Sequence, residues 1–416
     1  MRHYWQLLRR RPNFRLIWLA QVISLTGDWF NLIAVVILVQ RYSEGETALA
    51  TMGLFLARNI PLFLFSSYGG VIADRFDRRW VMIYSNLVRV LIVLGFLLVR
   101  DASLVWLIYV LTIAQFIASS FYEPAYSAIL PSMVAPDELV AANTLGGITW
   151  SAILALGSAL GGIVANAAGV EAALLVDSAS FAVAAGLTWL AHPEFTPPPT
   201  TLSAAGNRWR ELWEGVLYVR QNLNIALLVS AKALSQIGSA DVAISLYADS
   251  VFRVGREGAT TLSVLFAAFG IGAVVGPLLA NWSSGEKEFA LKYWIGISLG
   301  MITLGWALFG VAPTLAVAAL AMLIRGIGGS INWTYSVVLI QTNVPDHYLG
   351  RVFGLDFTVF TLMAIVANIV TGATPDFLNV SPRTVILWIA VASIVPVLLW
   401  TGAVRKQQER RTRQLA

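Results

Sequence analysis

A helix needs about twenty largely apolar residues to cross a bilayer, and this chain offers twelve such runs. They cover roughly residues 15–40, 48–72, 80–99, 104–129, 142–166, 170–191, 224–248, 259–282, 289–311, 314–341, 351–374 and 383–404. Composition agrees about the solvent. The chain is 57% hydrophobic and 12% charged with a mean hydropathy of +0.72, whereas soluble domains carry about 25% charged residues. The expected fold class is an all-α membrane protein with twelve transmembrane helices.

Several function classes fall away at once. With no cysteine there is no thiol chemistry, thiolate metal site or disulfide. His3, His192 and His347 are scattered, so no metal site is expected. Nothing resembles a P-loop, which argues against an ATP-driven pump in this chain alone. No cofactor and no covalent chemistry are expected. The net charge of +5 does not point to nucleic acid, because the basic residues sit in short turns and at the two ends, as a membrane surface favours. The opening MRHYWQLLRRRPNFR resembles a signal-peptide head. The apolar run after it is too long for a signal core and no small-residue cleavage site follows, so a retained first span is expected.

Orientation follows from lysine and arginine. If both ends are cytoplasmic, the inner segments carry 19 of these residues and the outer loops 5, leaving Arg58, Arg89, Lys232 and Arg325 within spans. This predicts both termini inside, in a cell (inner or plasma) membrane. A linker over 192–223 begins HPEFTPPPTT, which cannot start as helix. It continues NRWRELWEGVLYVR, where Trp209, Leu212, Trp213, Val216 and Leu217 share one helical face. This is either an interfacial amphipathic helix or a simple tether. The implied domains are a bundle over 1–191, the linker, and a bundle over 224–416.

The two bundles read as repeats. FYEPAYSAILPSMVAPDEL (121–139) aligns with SINWTYSVVLIQTNVPDHYL (330–349), placing Tyr126-Ser127 on Tyr335-Ser336 and Pro136-Asp137 on Pro345-Asp346. SLTGD (24–28) echoes SQIGSAD (235–241) with two residues inserted. Six plus six spans about a long central loop is the arrangement of secondary transporters that rock about a midplane site.

GGVIADRFDRRW, between the second and third runs, resembles the signature loop of the major facilitator superfamily, with Gly70, Asp74, Arg75, Arg78 and Arg79 in its positions. SLTGDW and NVPDHYLGRVFGLD resemble the branch that contains macrolide-efflux proteins and the enterobactin exporter. GSALGG resembles the superfamily's antiporter signature through Gly157, Gly161 and Gly162, with Ser158 where that signature has proline. The resemblance implies two pseudo-symmetric six-helix bundles. It also implies a conformational latch: Asp74 facing a helix N-terminus near Gly350-Arg351, and Arg78 or Arg79 pairing with Glu123 or Asp356. From spans that line the cavity in this superfamily it offers Gln21, Trp29, Asn31, Gln115, Tyr122, Asn332, Trp333 and Tyr335. Aromatic and amide groups suit large amphipathic or cationic ligands, though tryptophan and tyrosine also belt membrane interfaces.

Charges inside spans are expensive and tend to be functional. Asp28 lies about 20 Å into its run at 1.5 Å per residue, and Arg58 lies at similar depth, so the two can pair. The pair either exchanges a proton or cationic substrate, or is a static ion pair. Asp241 and Arg325 mirror it in the second half, unless Asp241 faces Lys232 or water. Asp177 lies nearer the outer side and is expected to face a vestibule, and Arg89 could join the latch. Asp28, Arg58, Glu123, Asp241 and Arg325 are thus the proton-coupling candidates. The expected activity is export of a small amphipathic molecule against protons by alternating access, from a lipid bilayer and as a monomer. Export of a native metabolite such as a siderophore, flipping of a lysolipid, uptake by symport and a non-transporting receptor stay open.

Overall fold

The computed structural model describes residues 2–43, 47–135, 138–192, 216–284 and 288–415. Among them there are helices and turns but no strands. They group into two compact units, Met1–Thr200 with Ile244–Ala267, and Thr201–Ala243 with Ala268–Ala416. Among the described residues eleven helices are long and apolar enough to cross a membrane.

In the first unit a short helix α1 (Arg2–Arg10) leads into α2 (Pro12–Tyr42), with proline at its start. There follow α3 (Thr47–Arg75), α4 (Arg78–Gly95), α5 (Val105–Ile129), α6 (Leu139–Ala168) and α7 (Val170–Leu190). Helix α2 packs on α6 and α7, α4 on α5 and α7, and α3 on α5. Arg11, at the junction of α1 and α2, holds Glu138 at 2.7 Å. The backbone N–H of Ala135 and this guanidinium keep the Glu138 carboxyl below its usual range.

The second unit contains α8 (Leu223–Leu234), α11 (Glu288–Val311), α12 (Leu315–Asn343), α13 (Asp346–Leu378), α14 (Pro382–Ala392) and α15 (Ile394–Leu415). Two further helices, α9 (Ala240–Leu246) and α10 (Ala259–Ser284), cross from one grouping to the other along the chain. Within this unit α11 packs on α12 and α14, and α8 on α12 and α13. Numbering the spans in order, the third packs on the fourth and sixth as the ninth does on the tenth and twelfth. The first packs on the fifth as the seventh does on the eleventh. The sequence repeat is therefore also a repeat of helix packing inside each unit.

The seventh run is not one helix. It is α8, a turn over 235–239, and α9, which runs into a π-helical turn, Tyr247–Val251. Gly238 takes φ +84, and a Cβ there would lie 2.4 Å from Ile389 Cγ2. Unwound backbone in a membrane must find other partners, and here it does. The Ser239 N–H donates to Thr371 Oγ1 at 2.9 Å, and the Gly238 carbonyl accepts from Arg325 at 3.4 Å. Ser239 Oγ in turn accepts from the N–H of Val242 at 3.3 Å.

Two buried charge clusters as candidate functional site

Helix α2 carries Gln21, Ser24, Asp28 and Asn31 at spacings of three, four and three, which places them on one face. That face packs against α7 because Gly27 removes the side chain between them. A Cβ at Gly27 would lie 1.9 Å from Ser180 Oγ and 2.6 Å from Asp177 Oδ1. Asp177 is fully buried, at 0% exposure. Asn31 and Ser180 lie beside its carboxylate and Asp28 is within electrostatic range. Neither of its oxygens, however, has a hydrogen-bond donor in good alignment. Ser180 Oγ donates to the backbone carbonyl of Asp177 instead, at 2.7 Å.

The cation of this cluster is Arg89 on α4. Its guanidinium donates to Asn86 Oδ1, one turn earlier, at 2.5 Å. It sits 4.7 Å from the Tyr122 ring centroid and 4.3 Å from that of Phe181, within cation–π range. Arg89 acts on Asp28 more strongly than Arg58 does. The Arg58 guanidinium lies 4.8 Å from the Phe116 ring. Glu123, exposed on one side, has Arg89, Asp28 and Gln21 around it.

One sequence expectation is corrected here. Asp177 does not face an open vestibule, because the close approach at Gly27 seals it between α2 and α7. Arg89, offered from the sequence as a further member of the latch, is held in the bundle interior by Asn86 and two aromatic rings.

In the second unit Lys232, in the last turn of α8, forms a buried ion pair with Asp356 of α13, their side chains 4% and 2% exposed. Lys232 Nζ also lies 4.4 Å from the Trp333 ring centroid. Arg325 on α12 lies 4.5 Å from the Trp306 ring and has Asp241 as its electrostatic partner.

Of the latch residues, Gly70, Asp74, Arg75 and Arg351 are described only as helical backbone, and their further surroundings lie outside the described residues. The guanidinium groups of Arg78 and Arg79 reach backbone carbonyls. Arg78 donates to the carbonyls of Ala73 at 3.1 Å and Ala128 at 2.7 Å. Arg79 donates to those of Thr188 at 3.2 Å and Trp189. These guanidinium groups satisfy free carbonyls near helix ends, as cations at a helix C-terminus do, while Asp356 is taken by Lys232.

Among the cavity candidates, Gln21, Asn31, Gln115, Tyr122, Asn332 and Tyr335 are buried. Trp29 is half-buried, edge-on to Phe266 at 5.4 Å, and Trp333 is 44% exposed. Gly157 and Gly161 admit Trp29 and Phe30 of α2, and Gly162 admits Ser263. Of the linker expected over 192–223, residues 193–215 lie outside the described residues, and 216–221 are helical.

A family model matches residues 17–403 and is described as Major Facilitator Superfamily. The chain belongs to the Major Facilitator Superfamily. Among its relatives is BacE of Bacillus subtilis (strain 168), named for bacilysin export, 23% identical over 97% of this chain and 98% of that one. Macrolide efflux protein A of Streptococcus pyogenes is 21% identical over 93% and 96%. The enterobactin exporter EntS of Citrobacter koseri is 24% identical over 84% and 82%. Among solved structures, an inward-facing bacterial homologue of the lysosomal transporter Spinster superposes with a TM-score of 0.72 at 13% identity, over 95% of this chain and 98% of that one. This superfamily member is therefore a multi-pass membrane transporter and not an enzyme, and its resemblance to the macrolide-efflux and enterobactin-exporter branch holds. Sequence reasoning named Lys232 only as an alternative partner of Asp241, and it left Asp177 and Arg89 out of the coupling candidates. The polar stripe on α2 was the available signal for an interior polar face. It does not say which helices meet that face.

Proposed function

We propose that the chain exports a small amphipathic molecule in exchange for protons, by alternating access, with both termini in the cytoplasm. The observation that carries this is Asp28, an acidic side chain deep in the first span beside Arg89 and Arg58. A carboxylate inside a membrane is costly, and one flanked by cations can hold charge or give it up without leaving the bundle. The relatives named for bacilysin, macrolides and enterobactin support the outward direction. The excess of basic residues, 19 against 5, supports the orientation.

The test is proton movement in proteoliposomes of known orientation, challenged with dyes and macrolides. Wild type is expected to move protons on addition of a transported compound. Asp28→Asn is expected to bind that compound and lose the proton signal at least tenfold. Normal proton movement by Asp28→Asn would remove Asp28 from coupling. No proton movement by wild type with any compound would remove the exchange itself.

A further inference from the structure

Asp177 sits between α2 and α7 with Asn31 and Ser180 as the polar side chains beside its carboxylate. It is fully buried in a span, and neither carboxylate oxygen has an aligned donor. A charged carboxylate in that position would need compensation from its surroundings. The charged and titratable groups around it can be named helix by helix. Asp28 comes from α2, and Arg89, the cation that acts on Asp177, comes from α4. Tyr122 and Glu123 on α5 interact with Arg89, Glu123 also with Asp28, and Arg58 on α3 acts on Asp28. Helix α6, the other neighbour of α7, contains no acidic, basic, histidine or tyrosine residue. Asp177 and Asp28 thus share Arg89 as their strongest cation.

We infer that Asp28 and Asp177 hold one proton between them, and that Asp177 is a second coupling residue of the transporter. Two guanidinium groups, Arg89 and Arg58, stand among three carboxyl groups, Asp28, Asp177 and Glu123, so one carboxyl is left without a cation to offset it. Two carboxylates in one site of low dielectric do not both ionise. As the proton passes between them, the O–H bond on one carboxyl breaks while that on the other forms, and no other group changes charge. Gly27 sets the geometry, because its missing side chain brings Asp177 Oδ1 against α2 beside Asp28. The buried face of α7 then serves as the resting place of the transported proton, and the more open Asp28 as the site that exchanges it. The pair behaves as a unit, with titration steps that belong to both residues.

This inference rests on the proton-exchange reading, and two measurements separate their failures. The first is the infrared carbonyl stretch of protonated carboxyl groups in the purified full-length protein in nanodiscs at neutral pH. Wild type is expected to show a band that is lost in Asp177→Asn and also lost or shifted in Asp28→Asn, since one residue no longer has the other to share with. Asp177→Glu is expected to keep a band at a shifted position. A band unchanged in both asparagine variants overturns the shared proton. If Asp177→Asn fails to fold, the Asp28→Asn arm decides alone.

The second measurement is ethidium-driven proton movement in proteoliposomes. Asp177→Asn is expected to bind ethidium within about twofold of wild type and to lose at least tenfold in proton movement. Full proton movement in that variant overturns the coupling role. If wild type moves no protons with ethidium while the band behaves as expected, the exchange reading and the coupling role fall and the shared proton stands.

Discussion

Lys232 and Asp356 are 124 positions apart in the chain and bonded to each other in the interior of the second unit. Taking two charges out of water is costly, and removing one partner strands the other. Lys232→Met alone, or Asp356→Leu alone, should therefore lower stability by about 3–5 kcal/mol. The double variant should return most of that loss, because an apolar pair replaces an ionic one. Unfolding of the three variants and wild type in detergent closes the cycle, and a double variant as unstable as the sum of the singles would show that the pair is not coupled. Such pairings are where the sequence is least legible. Asp28 stands out because a carboxylate interrupts an apolar run. Nothing local tells Lys232 that its partner is Asp356 rather than Asp241, or tells Arg89 that it serves Asp28 and Asp177. Those choices are made by helix packing, which period and composition do not encode.

At the scale of the element, the helices themselves were easy to read, since a run of about twenty apolar residues has few alternatives in a bilayer. The break in the seventh run was harder, yet its cause is visible in the repeat. SLTGD lies within continuous helix in α2, and SQIGSAD carries two extra residues at the corresponding place. At 3.6 residues per turn, two added residues rotate everything after them by about 200°. Asp241 would then leave the face that Asp28 occupies in the first half. The chain unwinds instead, with Gly238 at φ +84. An L-residue pays about 1–2 kcal/mol in that region, and a Cβ there would also meet Ile389 Cγ2 at 2.4 Å. Gly238→Ala should destabilise by about 2 kcal/mol or more once overpacking is added. Ile389→Ala removes a buried side chain and carries a cavity cost of its own. The comparison is therefore with that single variant, in whose background Gly238→Ala should cost less but keep the backbone part. Unfolding in detergent at equal lipid content reads both. An unchanged Gly238→Ala would mean that the turn is not held where it stands.

At the scale of the whole chain, each unit's packing follows the repeat that the sequence already displays, but orientation in the bilayer is a separate matter that basic residues alone argue. The absence of cysteine makes it directly testable, because any cysteine introduced is the only one. Ala102, between α4 and α5, and Ser132, just after α5, are both exposed and lie at opposite ends of α5. With both termini in the cytoplasm, the chain passes outward through α4 and returns through α5. Ala102→Cys should then react with a membrane-impermeant maleimide in intact cells, and Ser132→Cys only after the membrane is opened. The reverse pattern would invert the topology. It would place the ADRFDRR loop outside, against the distribution of arginine and lysine, and would turn the proposed outward transport into uptake. Reaction at both sites in intact cells would mean that α5 does not separate two aqueous spaces. The labelling therefore comes before any flux measurement, since the sign of a proton or dye flux has meaning only once the inner face is known.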